Sequence, residues 1–456
     1  MKEFDLIIIG GGRATSLAKK AGKLGKKVAL IEKDALGGTC PNRGCVPSKL
    51  LIGYAHAVRN VQEAHRHFID ATINHIDVEK IFKKTNDYIA KIDGIYEKKF
   101  NENVTVFRGT GSFVSNKVIE VNNELLTAQH IVIATGSRPV EAPHEKAWSS
   151  DDIFPLKHIP HSIAIVGSGF IAVELANFFD AIGIATKLLV RGDTLLSHED
   201  ETISAVFKEE FTKNVDVAFN TSIQQTRYEN NQFELTLENT QGELLLHTCE
   251  VVLYATGRQS NSDTLNLANT TIELNDKSYI KRNAFFETTA KDVFVVGDAA
   301  GENMLQHAAA YEINHLGKYL YEDEKKALVF KYMPHAVFCE PEIASVGISE
   351  QAAKKSKMEY ISTTTNWLAS AKAESLRIKY PITKLIVNPY TYEILGCHMI
   401  GPESSTMIHQ VLTVMHLNND IRHLKEMLYI HPAVNEALLF ASVECIKAIE
   451  KYKEAN

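Results

Sequence analysis

The feature that most restricts this chain is Gly10-Gly11-Gly12, set directly after a short apolar run and directly before a helix-like stretch. Residues 4–9 read as a strand, 13–24 as a helix and 27–31 as a second β-rich run. Together they form a β-α-β unit, the building block of a parallel sheet. At such a joint the physics of a dinucleotide asks for particular residues. Gly10 and Gly12 let the backbone turn tightly and approach a pyrophosphate, and the helix N-terminus presents free N–H groups to it. Glu32 ends the second strand, where a carboxylate accepts from a ribose 2′-OH. One position departs from this pattern: Thr15 stands where a small residue normally lets helix and strand approach, which predicts a local widening.

The pattern recurs. Residues 162–166 read as a strand, 170–181 as a helix and 186–190 as a second strand, with Gly167-Ser168-Gly169 at the turn and Ala172 at the third small position. This second unit ends on Val190-Arg191 instead of an acid. An arginine there meets a 2′-phosphate, which favours NADPH over NADH, although a solvated loop cation is the plain alternative. Two similar segments close the units, one ending Thr135-Gly136 and the other Thr256-Gly257-Arg258. The fold expected is α/β: two Rossmann-like dinucleotide-binding domains followed by a C-terminal α+β domain. The divisions expected are 1–145, 146–258, a return to the first domain over 259–330, and 331–456.

Composition excludes several alternatives. A net charge of −7 with 23% charged residues gives no clustered cation excess for nucleic acid. The apolar runs are strand-sized and far below the roughly 20 residues of a membrane span. The chain enters a strand within a few residues of Met1, so a soluble, cytoplasmic protein is expected.

Of six cysteines, Cys249, Cys339, Cys397 and Cys445 lie singly in apolar contexts and read as inert buried thiols. Cys40 and Cys45 differ. They sit in Gly37-Gly38-Thr39-Cys40-Pro41-Asn42-Arg43-Gly44-Cys45-Val46-Pro47-Ser48-Lys49, a setting that suits a helix N-terminus, where the dipole stabilises a thiolate. Lys49 adds a cation one turn beyond Cys45. Metal binding is the competing reading, but no second cysteine pair or histidine spacing supplies further ligands nearby, so no metal is expected.

With both glycine turns and this cysteine pair in view, the chain resembles the flavoprotein disulfide reductases along its whole length. The resemblance also rests on Val293-Phe294-Val295-Val296-Gly297-Asp298 and on the terminal Ile430-His431-Pro432…Glu436. It implies FAD at the first turn and NADPH or NADH at the second. By that resemblance Cys45 faces the flavin as the charge-transfer thiolate, and Cys40 is the interchange sulfur that attacks substrate. Lys49 pairs with Glu174 beside the flavin, and Gly38 and Thr39 lie against the cofactor. Thr135, Gly136, Gly257 and Gly297 line the cofactor segments, with Asp298 at the ribityl or phosphate region and His307 near the pyrimidine edge. The plain alternatives are that Glu174 is an exposed helix acid and His307 a satisfied core histidine.

His431, followed five residues later by Glu436, is a pair suited to moving a proton at neutral pH, as thiol–disulfide exchange requires. The resemblance implies that this segment is supplied in trans within a homodimer built through the last domain. Ala433 replaces the usual threonine there.

The substrate is less legible. The closing stretch Ile449–Asn456 holds no cysteine, which disfavours mercuric reductase and the large thioredoxin reductases with their additional C-terminal redox pair. The stretches 162–174, 191–196 and 429–433 are most similar to mycothione reductase. Dihydrolipoyl dehydrogenase is the alternative, lacking its usual acid at Val190, and glutathione reductase is a further relative. A different class, an NAD(P)H-dependent flavin reductase of quinones, metals or oxygen, would be marked by loss of His431, which is present.

Overall fold

The computed structural model describes residues 1–156 and 158–455. Strands β1 (Lys2–Ile9) and β2 (Val28–Glu32) run parallel and are joined through helix α1 (Thr15–Lys23). The sheet they begin has the order β3 (Val104–Arg108), β2, β1, β6 (Glu124–Ile133), β5 (Val118–Val121), β4 (Ser112–Ser115). Val293–Val295 adds a parallel strand along the C-terminal half of β6. The unit thus recruits a strand from far along the chain. Leu6 to Ile9 and all of β2 are buried, the continuous apolar signature of a sheet covered on both faces.

A second, fully parallel sheet repeats the plan. Its order is Asp216–Ala218, Ala185–Leu189, Ser162–Val166, Val251–Tyr254, Trp148–Ser149. The helix Phe170–Ala181 crosses between the strands Ser162–Val166 and Ala185–Leu189 and is buried along most of its length. The two units are tied by a short antiparallel pair, Ser137–Pro139 with Arg258–Ser260. The C-terminal part is an antiparallel five-stranded sheet covered by the helices Ser404–Leu417 and Glu436–Ala455.

Two regions differ from expectation. The polar-faced pattern of residues 51–100 predicts long helices, but helix is broken after α3 (Cys45–Gln62), where Phe68 takes a left-handed backbone (φ 60°) that ends the 3₁₀ turn Ala64–His67. Helix resumes at Val78, capped by the Asp77 side chain accepting from Lys80 N–H. The sequence reading also passed over an antiparallel sheet built from Ser222–Glu229, Gln232–Glu238 and Leu244–Cys249. Its first hairpin turns on Asn230-Asn231, both at positive φ (52° and 62°), a residue pair suited to a two-residue turn. Among the described residues no helix is long and apolar enough to cross a membrane.

Candidate functional site

The two glycine turns are built on the same steric constraint. Gly10 has φ +110°, and a Cβ there would lie 2.2 Å from the Ala134 carbonyl oxygen. Gly167 has φ +144°, and a Cβ there would lie 2.5 Å from the Ala255 carbonyl oxygen. In each unit the turn therefore packs against the residue that precedes the closing Thr-Gly, and only glycine fits. The helices that follow, α1 and Phe170–Ala181, have no side-chain cap and no acid in the first turn, so no side chain competes with an anion at either start.

Glu32 is buried and braces the first turn: its carboxylate accepts from Gly11 N–H at 2.6 Å and from Asp34 N–H at 2.8 Å. Each oxygen keeps capacity for a hydroxyl donor as well. Thr15 does not force the turn apart. Its hydroxyl folds back onto the Gly12 carbonyl at 2.9 Å, so the expected widening is absorbed by one local bond. Arg191 is exposed and pairs with no carboxylate among the described residues.

The cysteine segment is stitched to the first turn. Gly37 N–H donates to Gly11 O at 2.8 Å, and a Cβ on Gly38 (φ +68°) would lie 2.8 Å from Gly12 Cα. Asn42 Nδ2 closes the loop by donating to the carbonyls of Leu36 (3.1 Å) and Gly38 (2.9 Å). From there Thr39 opens the short helix α2 (Thr39–Arg43), which carries Cys40, and Cys45 is the first residue of α3. The pair thus occupies two successive helix starts instead of one. Both residues are free thiols in this structure.

Their side chains are hydrogen-bonded to each other, and the two thiols differ sharply in acidity. Cys45 is lowered to about 7, first by the hydrogen bond from Cys40 and then by the Lys49 charge, against the opposing effects of surrounding protein and of Glu174. Cys40 is pushed up, first by that same hydrogen bond to Cys45 and then by burial. Lys49 Nζ lies 2.6 Å from Glu174 Oε2, with Glu174 5% and Lys49 33% exposed. Burial raises Cys249 and Cys445 to about 11, and pushes Cys339 and Cys397 up as well.

Thr135 and Gly136 sit where a cofactor can be received. The buried Thr135 Oγ1 has no hydrogen-bond partner, and Gly136 (φ +66°) faces open space. Next to them Ser137 Oγ donates to Asp298 Oδ2 at 2.5 Å, and Arg258 Nε donates to Ser137 Oγ at 2.8 Å. Gly297 N–H donates to Glu312 at 2.7 Å, which is itself held by Arg282. Gly257 takes φ +135° at the equivalent bend of the second unit. An orphaned buried hydroxyl, open glycine faces and uncapped helix starts fit a bound dinucleotide such as FAD. Ser137, Asn261 and Glu312 were missed in sequence because their partners lie far along the chain; Asn261 Nδ2, for example, donates to Thr135 O at 2.8 Å.

Other expected residues lie apart. His307 is exposed and its Nε2 meets the Pro334 carbonyl at 2.8 Å, so it is not a core histidine. His431 Nδ1 donates to Glu436 Oε1 at 2.8 Å, while Ala433 N–H donates to Oε2 at 2.9 Å. Those two bonds hold the Glu436 carboxyl below its ordinary range. The His431 side chain is 75% exposed, and no hydrogen bond or ion pair joins it to either cysteine within the chain among the described residues. Cys40, Cys45, Lys49 and Glu174 are brought together; His431 and Glu436 form a separate, outward-facing pair.

Residues 4–312 match the family described as pyridine nucleotide-disulphide oxidoreductase, and residues 333–441 match that family's dimerisation domain. A dihydrolipoyl dehydrogenase of Buchnera aphidicola is 29% identical over 95% of this chain and 94% of its own. A mercuric reductase of Staphylococcus aureus is 27% identical over 98% of this chain and 84% of its own. The HOCl-induced flavoprotein disulfide reductase RclA from Escherichia coli superimposes with a TM-score of 0.86 at 25% identity, over 96% of this chain and 99% of its own. With the duplicated glycine turns and the paired thiols, these matches place the chain in the pyridine nucleotide-disulphide oxidoreductase family, FAD-dependent enzymes that use NAD(P)H and carry a C-terminal dimerisation domain.

Proposed function

We propose that the chain passes electrons from NADPH to a small-molecule disulfide through Cys40 and Cys45, with Cys45 on the flavin side and Cys40 as the interchange sulfur. The observation that carries this reading is the asymmetry of the two thiols: Cys45 ionises near neutrality while Cys40 holds its proton. When bound, FAD supplies the acceptor that takes a hydride from the nicotinamide and relays the electron pair to the cysteines. Lys49, held by Glu174, stabilises the thiolate at Cys45.

Because Cys40 stays protonated, its attack on a disulfide needs a base, and the leaving sulfur needs an acid. His431 fits both tasks. Glu436 fixes Nδ1 as the donor, which leaves Nε2 free to take the Cys40 proton and return it to the departing thiolate. Cys40 then forms a mixed disulfide with half of the substrate. Attack by Cys45 on the Cys40 sulfur releases the second half and restores the Cys40–Cys45 disulfide. The exposure of His431 supports its acting on the partner's Cys40 within a homodimer. In a reducing compartment a close cysteine pair of this kind is catalytic more often than structural, and we place the enzyme in the cytoplasm.

The stretches 162–174, 191–196 and 429–433 favour a substrate of the mycothiol disulfide type. Dihydrolipoamide is the second reading, favoured by the relatives 28–29% identical over nearly the full chain that are dihydrolipoyl dehydrogenases. The test is anaerobic reduction with one equivalent of NADPH or NADH, followed by a panel: mycothiol disulfide, glutathione disulfide, lipoamide, Hg(II), Cu(II) and a quinone. Reoxidation by a disulfide that requires His431 supports the proposal. Reoxidation by a metal ion or quinone alone, indifferent to His431, overturns it in favour of a metal or quinone reductase.

A further inference from the structure

We propose that Phe338, contributed by the C-terminal part of the chain, is a positioning residue of the redox centre: its ring and its main-chain N–H hold Lys49 and Glu174 together beside Cys45. The inference rests on the reading of Cys45 as the reactive thiolate and deepens it.

Glu174 uses both of its oxygens. Oε2 takes Lys49 Nζ at 2.6 Å, and Oε1 accepts from Phe338 N–H at 3.1 Å. The same Lys49 Nζ lies 4.7 Å from the centroid of the Phe338 ring, within the range of a cation–π contact. Lysine carries its charge on a flexible stem, and this one is a third exposed, so the ion pair alone leaves its head free to swing toward solvent. The ring closes that route by offering the ammonium a favourable face. Phe338 is half-buried and belongs to none of the hydrophobic clusters, so core packing does not account for it.

The segment that delivers Phe338 is anchored on both sides. Pro334 O takes His307 Nε2 at 2.8 Å, and His335 Nε2 meets Glu199 Oε1 at 2.7 Å. Beyond it, Glu342 Oε1 accepts from Ser405 N–H at 2.5 Å, and Cys339 is buried at 1% exposure. A substitution at 338 therefore changes the ring and leaves the N–H in place. The consequence is that the C-terminal part of the chain sets how firmly a cation is held near the thiolate. Without the ring, Lys49 spends less time beside Cys45 while the buried Glu174 carboxylate remains, and the two effects both disfavour the Cys45 thiolate. The directions of these two influences on Cys45 agree with that account.

The test uses the FAD-loaded full chain with Cys40→Ser as the parent, in which Cys45 is the remaining thiol of the pair. Its pKa is read twice, by the long-wavelength thiolate–flavin absorbance against pH and by the pH profile of Cys45 alkylation with iodoacetamide. Phe338→Leu should raise the pKa by about 0.5–1 unit, and Phe338→Tyr, which keeps a π face, should stay within about 0.2 unit of the parent. Phe338→Met serves as a second non-aromatic variant should leucine disturb folding. An unchanged pKa in Phe338→Leu or Phe338→Met overturns the proposal, as does an equal shift in Leu and Tyr. A parent that lacks the absorbance band overturns the flavin-side reading of Cys45 instead, and the alkylation profile still decides Phe338.

Discussion

The hydrogen bond between the two thiols is the largest influence on Cys45, and it can be removed without touching any charge. Cys40→Ala deletes the donor, whereas Cys40→Ser keeps one, since a hydroxyl donates as a thiol does. A hydrogen bond to an ionised acceptor is worth roughly 1.5–3 kcal/mol, and each pKa unit corresponds to about 1.36 kcal/mol. Cys45 lies at about 7 in the intact pair. In Cys40→Ala it should therefore move up by about 1–2 units, tempered by the fraction of the bond that water replaces at this accessible residue. In Cys40→Ser it should stay near its starting value. At pH 7 the thiolate fraction then falls from about one half to about a tenth or less. The assay is the pH dependence of Cys45 alkylation in both variants, paired with the thiolate–flavin absorbance. If Cys40→Ala titrates at or below Cys40→Ser, the hydrogen bond does not set the acidity of Cys45, and Lys49 must do so alone.

The other predictions concern the edges of the site. Cys45→Ser should lack the thiolate–flavin band that Cys40→Ser retains; reversed phenotypes in an absorbance scan would exchange the roles of the two sulfurs. Arg191→Glu should erode a preference for NADPH over NADH by about one to two decades in kcat/KM, and a parent enzyme that uses both cofactors equally would remove the basis for that expectation. His431→Gln should slow the disulfide half-reaction ~10²–10⁴-fold in stopped flow while sparing reduction by NADPH. Mixed dimers of Cys40→Ser and His431→Gln protomers should regain activity, and subunit exchange without recovery would refute the in-trans arrangement. The His335–Glu199 contact should be pH-sensitive at both ends. Glu199 raises the His335 pKa against burial, so its contribution is full below about pH 6.5 and is lost as pH rises through the raised value. His335 and Ser345 lower that of Glu199 against burial, so its share is lost as pH falls below about 4.3. Thermal midpoints across pH should show an alkaline decline that His335→Gln removes.

How much of this was legible in sequence depends on which physical constraint is local. Gly10 and Gly167 could be read because a main-chain clash forbids any side chain there, and that clash is fixed within a β-α-β unit. The His431–Glu436 pair was legible for the same reason, being five residues apart at the start of one helix. The segment 334–342 was not. Its contacts with His307, Glu199 and Glu174 span 27, 136 and 164 residues, and nothing in the local pattern of Phe338 marks it as a neighbour of Lys49. The sheet over 222–249 escaped for another reason. Ser222–Glu229 is polar and largely accessible, so alternation is faint, and the stronger signal was the Asn230-Asn231 turn.

The duplicated units also show where one fold is made to do two jobs. Both turns meet the same constraint at the same place, a glycine pressed on the carbonyl that precedes a closing Thr-Gly. Steric demands of that kind bind both copies equally and cannot distinguish one cofactor from another. The difference lies one strand later. Glu32 is buried and committed to Gly11 and Asp34, so its carboxylate is both a brace for the turn and an acceptor held in position. In the second unit Val190 holds the corresponding place and is buried, and the next residue, Arg191, is exposed and pairs with no carboxylate among the described residues. A braced acid suits a cofactor that stays, because its orientation is fixed in advance at the cost of adaptability. A free cation suits one that arrives and departs with each turnover, because long-range attraction speeds encounter while little ordering precedes it. By this argument residence time, as much as the 2′ substituent, separates the two sites, and the stretch at and just beyond the end of the second strand is where the two units differ.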